Sequence, residues 1–224
     1  MLRTIISGLY DMVDKRYDSR AAAELSRLQI GYLPWTGSAI SPTALMAILN
    51  DIQINERRSV VEFGSGLSTV YIAKIMQRLG GRLISFEDND DWARQVSAML
   101  EAAGLAQYAT VVVAPLTSCE FSVGDLPWYD TEVVRNAMIG HQIDCILVDG
   151  PPAYRRESHM ARYPAVPVMA PHLADRFSIY LDDARRPGEK TIVSKWTELL
   201  NIKFVLQPGG VCRGIKGRAF HSSI

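Results

Sequence analysis

From Arg58 onward, short apolar runs alternate with amphipathic stretches. SVVEF (59–63), a β-branched run, is followed by RLISFE (82–87), ATVVVAPL (109–116) and IDCILVDG (143–150), each short, largely apolar and punctuated by Gly, Pro or acids. Each reads as a strand, and RFSIYLDDA (176–184) as a fifth. Between them, STVYIAKIMQRL (68–79) repeats apolar side chains at helical spacing and stops at Gly80-Gly81. DDWARQVSAMLEAAG (90–104) does the same, with Asp90 as cap and Gly104 as stop. Thr117 to Gln142 has mixed signals and room for one short helix. HMARYPAVPVMAPHLA (159–174) reads as a loop and helix interrupted by prolines, and Pro187 opens a helix to about Asn201. KFVLQ (203–207) and VCRGIKG (211–217), joined by Pro208-Gly209-Gly210, read as a closing hairpin. Upstream, Leu2 to Gln29 is an amphipathic helix and YLPWTGSAISP (32–42) a loop. Ser41 and Pro42 then supply the cap and first position of a helix through TALMAILNDI (43–52).

Alternating strands and helices predict an α/β fold with a doubly wound, Rossmann-like, mostly parallel sheet. The unbroken apolar runs VVV and CILV suit strands covered on both faces. The hairpin adds an antiparallel strand at the C-terminal end. At 224 residues the chain is long enough to bury a core without disulfides or structural metal. Its 24 basic and 24 acidic side chains cancel, which argues against a nucleic-acid partner held by phosphate neutralisation. Cys119, Cys145 and Cys212 are scattered, form no paired motif and suit a reducing, cytoplasmic compartment. The N-terminus carries acids early and has no leader pattern, and no run of about 20 apolar residues predicts a membrane span.

The first strand ends VVEFGSGLST, placing Gly64, Ser65, Gly66, Ser68 and Thr69 at a strand-to-helix turn. Glycines there allow a tight turn and close ligand approach, and the next helix offers free N–H groups. The dinucleotide pattern wants a third glycine where Thr69 stands. No Tyr-x-x-x-Lys pair is suitably placed either, so a Rossmann-type oxidoreductase is the weaker alternative, beside a non-catalytic nucleotide binder or an aminopropyl transferase. Glu62 would repel a pyrophosphate but suits a ligand with an ammonium group. Glu87 ends the second strand 23 residues after Gly64, the spacing of an acid on ribose hydroxyls, with Asp88 beside it.

With these motifs the sequence resembles the class I S-adenosylmethionine-dependent methyltransferases, over most of the chain from Ser41 to Gly217. It is most similar to the small O-methyltransferases of the catechol type and their bacterial relatives. The carrying segments are VVEFGSGLST, ISFED, LVDGPP, YLDDARRPG and the closing hairpin. The resemblance implies seven strands, the last antiparallel, in a cofactor domain over 41–217. Residues 1–40 would be a helix and acceptor-side loop, and 218–224 a tail. It implies that Glu62 and the Gly64–Thr69 loop hold the methionine end and Glu87 the ribose. Ala114 and Pro115 would flank the adenine. Trp92 would either stack nearby or serve as a core residue of its helix, the latter being the preferred reading.

Asp149 ends the fourth strand and Asp182-Asp183 the fifth, so the three carboxylates meet at one sheet edge. By resemblance they are candidate ligands of Mg2+, which would acidify an acceptor hydroxyl; the alternative is that Asp149 faces the cofactor while Asp182-Asp183 caps a turn or pairs with Arg185 and Arg186. The family's lysine base is absent, Pro152 standing in its place. His159 is the candidate base if no metal is used. Arg155, Arg156, Arg162, Arg185 and Arg186 are candidates for the cavity mouth. YLPWTGSAI and Pro127-Trp128-Tyr129-Asp130 could wall an acceptor site or pack a homodimer contact. The expected partner is a small-molecule acceptor, with neither nucleic acid nor membrane.

Overall fold

A computed structural model describes residues 17–220. The chain runs α1 (17–26), α2 (Pro42–Ile54), β1 (Ser59–Phe63), α3 (Leu67–Leu79), β2 (Arg82–Glu87), α4 (Asp90–Ala102) and β3 (Ala109–Val113). It continues through β4 (Leu116–Thr117), β5 (Trp128–Tyr129), α5 (Thr131–Ala137), β6 (Ile143–Val148), α6 (Ala165–Met169) and β7 (Leu173–Leu181). It closes with α7 (Pro187–Leu200), β8 (Phe204–Leu206) and β9 (Cys212–Lys216).

Seven strands form one sheet in the order β3-β2-β1-β6-β7-β9-β8. β9 inserts between β7 and β8 and runs antiparallel to both, while the pairs from β3 to β7 are parallel. Successive residues of a strand feed opposite layers. On β6, Cys145 and Leu147 join the core beneath α1, α2, α3 and α4. Ile146 and Val148 join the core beneath α5, α6 and α7. That two-sided burial explains why CILV carries no polar residue. Strand order reverses between β1 and β6, and at this switch a doubly wound sheet leaves a crevice beyond its carboxyl ends.

The local signals at α2 hold: the Ser41 hydroxyl accepts from the Ala44 N–H at 3.2 Å and Pro42 is the first helical residue. At α4 the cap is Asn89 rather than Asp90. Asn89 has extended backbone and its side chain accepts from the Trp92 N–H at 2.9 Å, whereas Asp90 is already helical and pairs with Arg94. The third strand stops at Val113, and Leu116–Thr117 instead pairs with Trp128–Tyr129 as a separate two-stranded sheet. The described part of the N-terminal helix ends at residue 26, short of Gln29, whose φ of 53° is incompatible with a right-handed helix. Residues 1–16 of that expected helix, and 221–224 of the tail, lie outside the described residues. Among the described residues no helix is long and apolar enough to cross a membrane.

Candidate active site

At the strand switch, the turns after β1 and β6 cross in close contact. Gly64 has φ 92°, and a Cβ there would lie 2.8 Å from the Gly150 nitrogen. A Cβ on Gly150 would lie 2.9 Å from the Gly64 Cα and would run into the Tyr129 hydroxyl. The Phe63 carbonyl accepts from both the Asp149 and Gly150 N–H groups, at 2.9 and 2.6 Å, which ties the two turns together.

Behind this crossing Glu62 is fully buried. Its carboxylate accepts from the hydroxyls of Ser68 (2.6 Å), Thr69 (2.5 Å) and Ser85 (2.6 Å). Ser85 is its register partner on β2. Thr69 Oγ1 in turn accepts from the Gly66 N–H at 2.8 Å, so the carboxylate braces the turn through the helix it opens. Burial raises the Glu62 pKa to about 7, against the three hydroxyl bonds that pull it down. Glu87, also buried, accepts from the N–H groups of Ser65 (2.9 Å) and Asn89 (3.0 Å), and burial raises its pKa as well.

Two adjoining cavities open over these turns. The first, about 370 Å³, lies among Pro34–Ile40, Gly64–Ser68, Trp92 and Met99. The second, about 460 Å³, lies among Glu87, Asp88, Tyr129, Pro152–Tyr154, Arg162, Asp182, Asp183 and Arg186. Their linings share Ser38, Ala39, Gly64, Ser65, Trp92 and Asp149, of which Asp149 alone is charged. The Trp92 indole donates to the Ser65 carbonyl at 2.8 Å, so this ring pins the turn and walls both cavities instead of filling the core of its helix.

In the second cavity the three aspartates surround a guanidinium. Carboxylate oxygens of Asp149, Asp182 and Asp183 lie within 4.8 Å of one another. Arg162, almost wholly buried, reaches Asp149 Oδ1 at 3.3 Å and Asp183 Oδ2 at 3.2 Å. Arg186 adds a 2.7 Å ion pair to Asp183, which has a left-handed φ of 56° and meets both arginines. Burial raises the proton affinity of Asp149, opposed chiefly by the charge of Arg162, and Asp182 is raised further by burial and by its two acidic neighbours. The set does not fit a magnesium ion. Octahedral Mg2+ needs oxygens at about 2.0–2.1 Å, and here two of the three carboxylates already bind a cation that cannot lose its charge.

The profile of a family described as a methyltransferase domain matches residues 61–184, more than half of the chain. The chain belongs to this methyltransferase family. No curated protein matches the sequence. Several solved structures share the fold of this methyltransferase. A Bacillus cereus O-methyltransferase in complex with SAH is 16% identical, with 90% of this chain and 91% of that chain covered and a TM-score of 0.58. A SAH-bound methyltransferase of Podospora anserina is 12% identical, with 93% and 94% covered and a TM-score of 0.63. An O-methyltransferase of Streptomyces achromogenes involved in tomaymycin synthesis, in complex with SAM, is 14% identical, with 90% of each chain covered and a TM-score of 0.55. The expected family and seven-stranded fold are thus both found.

Of the expected site residues, the methyltransferase gathers Gly64, Ser65, Gly66, Ser68, Glu87, Asp88, Asp149, Asp182 and Asp183 along the two cavities. Glu62 and Thr69 lie behind the turn and line neither. Ala114 is buried beside the Glu87 backbone, to whose carbonyl its N–H donates at 2.8 Å, and neither it nor Pro115 reaches a cavity lining. His159 is not brought to the cavities: its backbone and Cβ pack against Gly188 at the start of α7. Trp128 is core, packed 5.1 Å from the Phe63 ring, so of that aromatic pair only Tyr129 walls the second cavity. Arg162 and Arg186 reach the lining, while Arg155 and Arg156 do not. Sequence reasoning missed Ser85 and the central place of Arg162. The signals were a lone hydroxyl inside the apolar strand RLISFE and a lone charge in ARYPAVPVM.

Proposed function

We propose that this methyltransferase uses S-adenosylmethionine to methylate a hydroxyl of a small molecule or sugar. The observation that carries this reading is the position of Asp149, the one charged residue common to both cavities. A cofactor in one cavity and an acceptor in the other would meet at its carboxylate. The glycine turn fits such a cofactor: a Cβ at Gly66 would meet nothing within 4 Å, so that glycine is open to a ligand instead of filled by the fold. Glu87 keeps its oxygens at the cavity wall for the ribose hydroxyls, with Asp88 beside it. The hydroxyl-caged Glu62 sets the negative potential behind the methionine end. The solved O-methyltransferases from Bacillus cereus and Streptomyces achromogenes hold SAH and SAM, which supports the same ligand here.

When bound, the cofactor would supply an electrophilic sulfonium methyl, with a neutral thioether as its leaving group. The chain's own part is positioning in line and excluding water. The loop 34–40 walls both cavities and is suited to that. Asp149 would take the acceptor's hydroxyl proton, leaving the acceptor oxygen free to receive the methyl group. Its raised proton affinity makes it a better base than an exposed aspartate. The three cysteines are free thiols, in keeping with a cytoplasmic enzyme.

Calorimetric titration of S-adenosylmethionine and S-adenosylhomocysteine, with NADH as control, tests the reading. Saturable binding of both sulfur ligands and none of NADH is expected; a folded protein that binds neither overturns it. Glu87→Ala is expected to weaken the sulfur ligands at least tenfold while the melting curve stays cooperative, and unchanged affinity removes Glu87 from the ribose. Asp149→Ala should lower turnover at least tenfold while cofactor affinity changes less. If both fall together, Asp149 is only a cofactor contact.

A further inference from the structure

The Arg162 side chain is buried, which is costly for a charge unless every face of it is compensated. Its Nε donates to the Pro151 carbonyl at 3.2 Å and its Nη1 to the Asp182 carbonyl at 3.2 Å. Nη1 also reaches Asp183 Oδ2, and Nη2 reaches Asp149 Oδ1. Behind it, 3.9 Å from Nη1, Glu189 is fully buried with both carboxylate oxygens lacking a hydrogen-bond donor among the described residues. Three carboxylates, those of Asp149, Asp183 and Glu189, therefore lie within ion-pair distance of this one guanidinium, with the Asp182 charge close by, and Arg186 shares the load through Asp183. The acids are compensated by a cation of the chain itself, anchored to two backbone carbonyls at the ends of β6 and β7.

We propose that Arg162 is the resident cation of the transfer site, holding Asp149 and Asp183 in place where a divalent metal would otherwise be needed. The guanidinium keeps its charge at all working pH values, so it excludes a second cation by repulsion as well as by occupancy. That this acidic centre lies in a methyl-transfer site rests on the function proposed above; the exclusion of metal does not. The reaction is then independent of added metal, and the acidic cluster is latent: it becomes a metal site only when the guanidinium is removed.

The test titrates Mn2+ alone into the purified protein, following the free ion by electron paramagnetic resonance. Wild type is expected to show no saturable uptake through the millimolar range. Arg162→Met should acquire a single site at least tenfold tighter than any wild-type uptake, and adding Asp183→Asn should abolish it. A merely structural arginine would not produce this gain. Should the Met variant not fold, Arg162→Gln, which keeps a donor for the two carbonyls, takes its place. Saturable wild-type binding that Asp183→Asn removes overturns the proposal, as does a folded charge-free variant that takes up no more metal than wild type. S-adenosylmethionine is titrated into the same preparations. Failure of that binding strikes the proposed function and leaves the cation result to stand or fall on its own.

Discussion

Gly64→Ala is expected to destabilise the protein by about 2–4 kcal/mol, combining a left-handed backbone with an overpacked crossing. The added methyl would meet the Gly150 nitrogen at 2.8 Å and Cα at 3.1 Å, both backbone atoms of a turn tied to Phe63. Neither can retreat without breaking the contact between the β1 and β6 turns. Gly66→Ala is the matched control. Its φ of 177° is ordinary extended backbone and its Cβ position is open, so stability should stay within about 0.5 kcal/mol. That residue lines the first cavity, so its cost falls on cofactor affinity instead. Thermal melts and cofactor titrations of the two variants separate the roles. For a chain of this length, the Gly64 loss corresponds to about 5–15 °C in melting temperature. Equal melting temperatures for both variants would mean that the crossing yields, and that neither glycine is demanded by the fold.

The contrast explains what the sequence could and could not disclose. RLISFE became β2 at the expected limits because a short, largely apolar run between a glycine pair and acidic residues is too short for a helix and is punctuated at both ends. The Ser41-Pro42 start, the Gly104 stop and the closing hairpin were equally local. β4 and β5 were invisible, since two residues each carry no period and pair only across a loop. At the site, the backbone-bearing residues were legible because strand ends and glycines mark the crevice. Partnerships were not. Ser85 meets Glu62 only through the parallel register of β1 and β2, and Arg162 meets Asp149 only once the segment after β6 folds back. For Trp92 the core of its helix was preferred over a place beside the ligand, but its position in the first turn of α4 aims the indole at the Ser65 carbonyl and onto the cavity walls. His159 looked like a base by chemistry alone, and chain direction took it to Gly188.

Glu62→Gln is expected to flatten the stability–pH profile of the ligand-free protein, by up to about 3 kcal/mol. The Glu62 pKa rises from 4.5 to about 7 on folding because desolvation outweighs its three hydroxyl bonds. Below the lower value both states hold the proton and the group is neutral to stability. Between the two values the unfolded chain has released its proton while the native chain keeps it, so stability falls as pH rises. Above about 7 both are ionised and the full cost is present. Glutamine keeps the shape and never ionises, so wild type and variant should match near pH 4.5 and diverge up to neutrality, the variant melting higher. Asp149, Asp182, Glu87 and Glu189 are also raised by burial, but they are common to both proteins and drop out of the difference. The same carboxyl links to the ligand. A cation bound over the turn favours the ionised form, so S-adenosylmethionine should release a proton at pH 6–7, read by calorimetry in buffers of different ionisation enthalpy. The variant should lose that release along with affinity. Parallel stability profiles for the two proteins would mean that Glu62 is already ionised in the free protein, its cage of Ser68, Thr69 and Ser85 strong enough to offset burial.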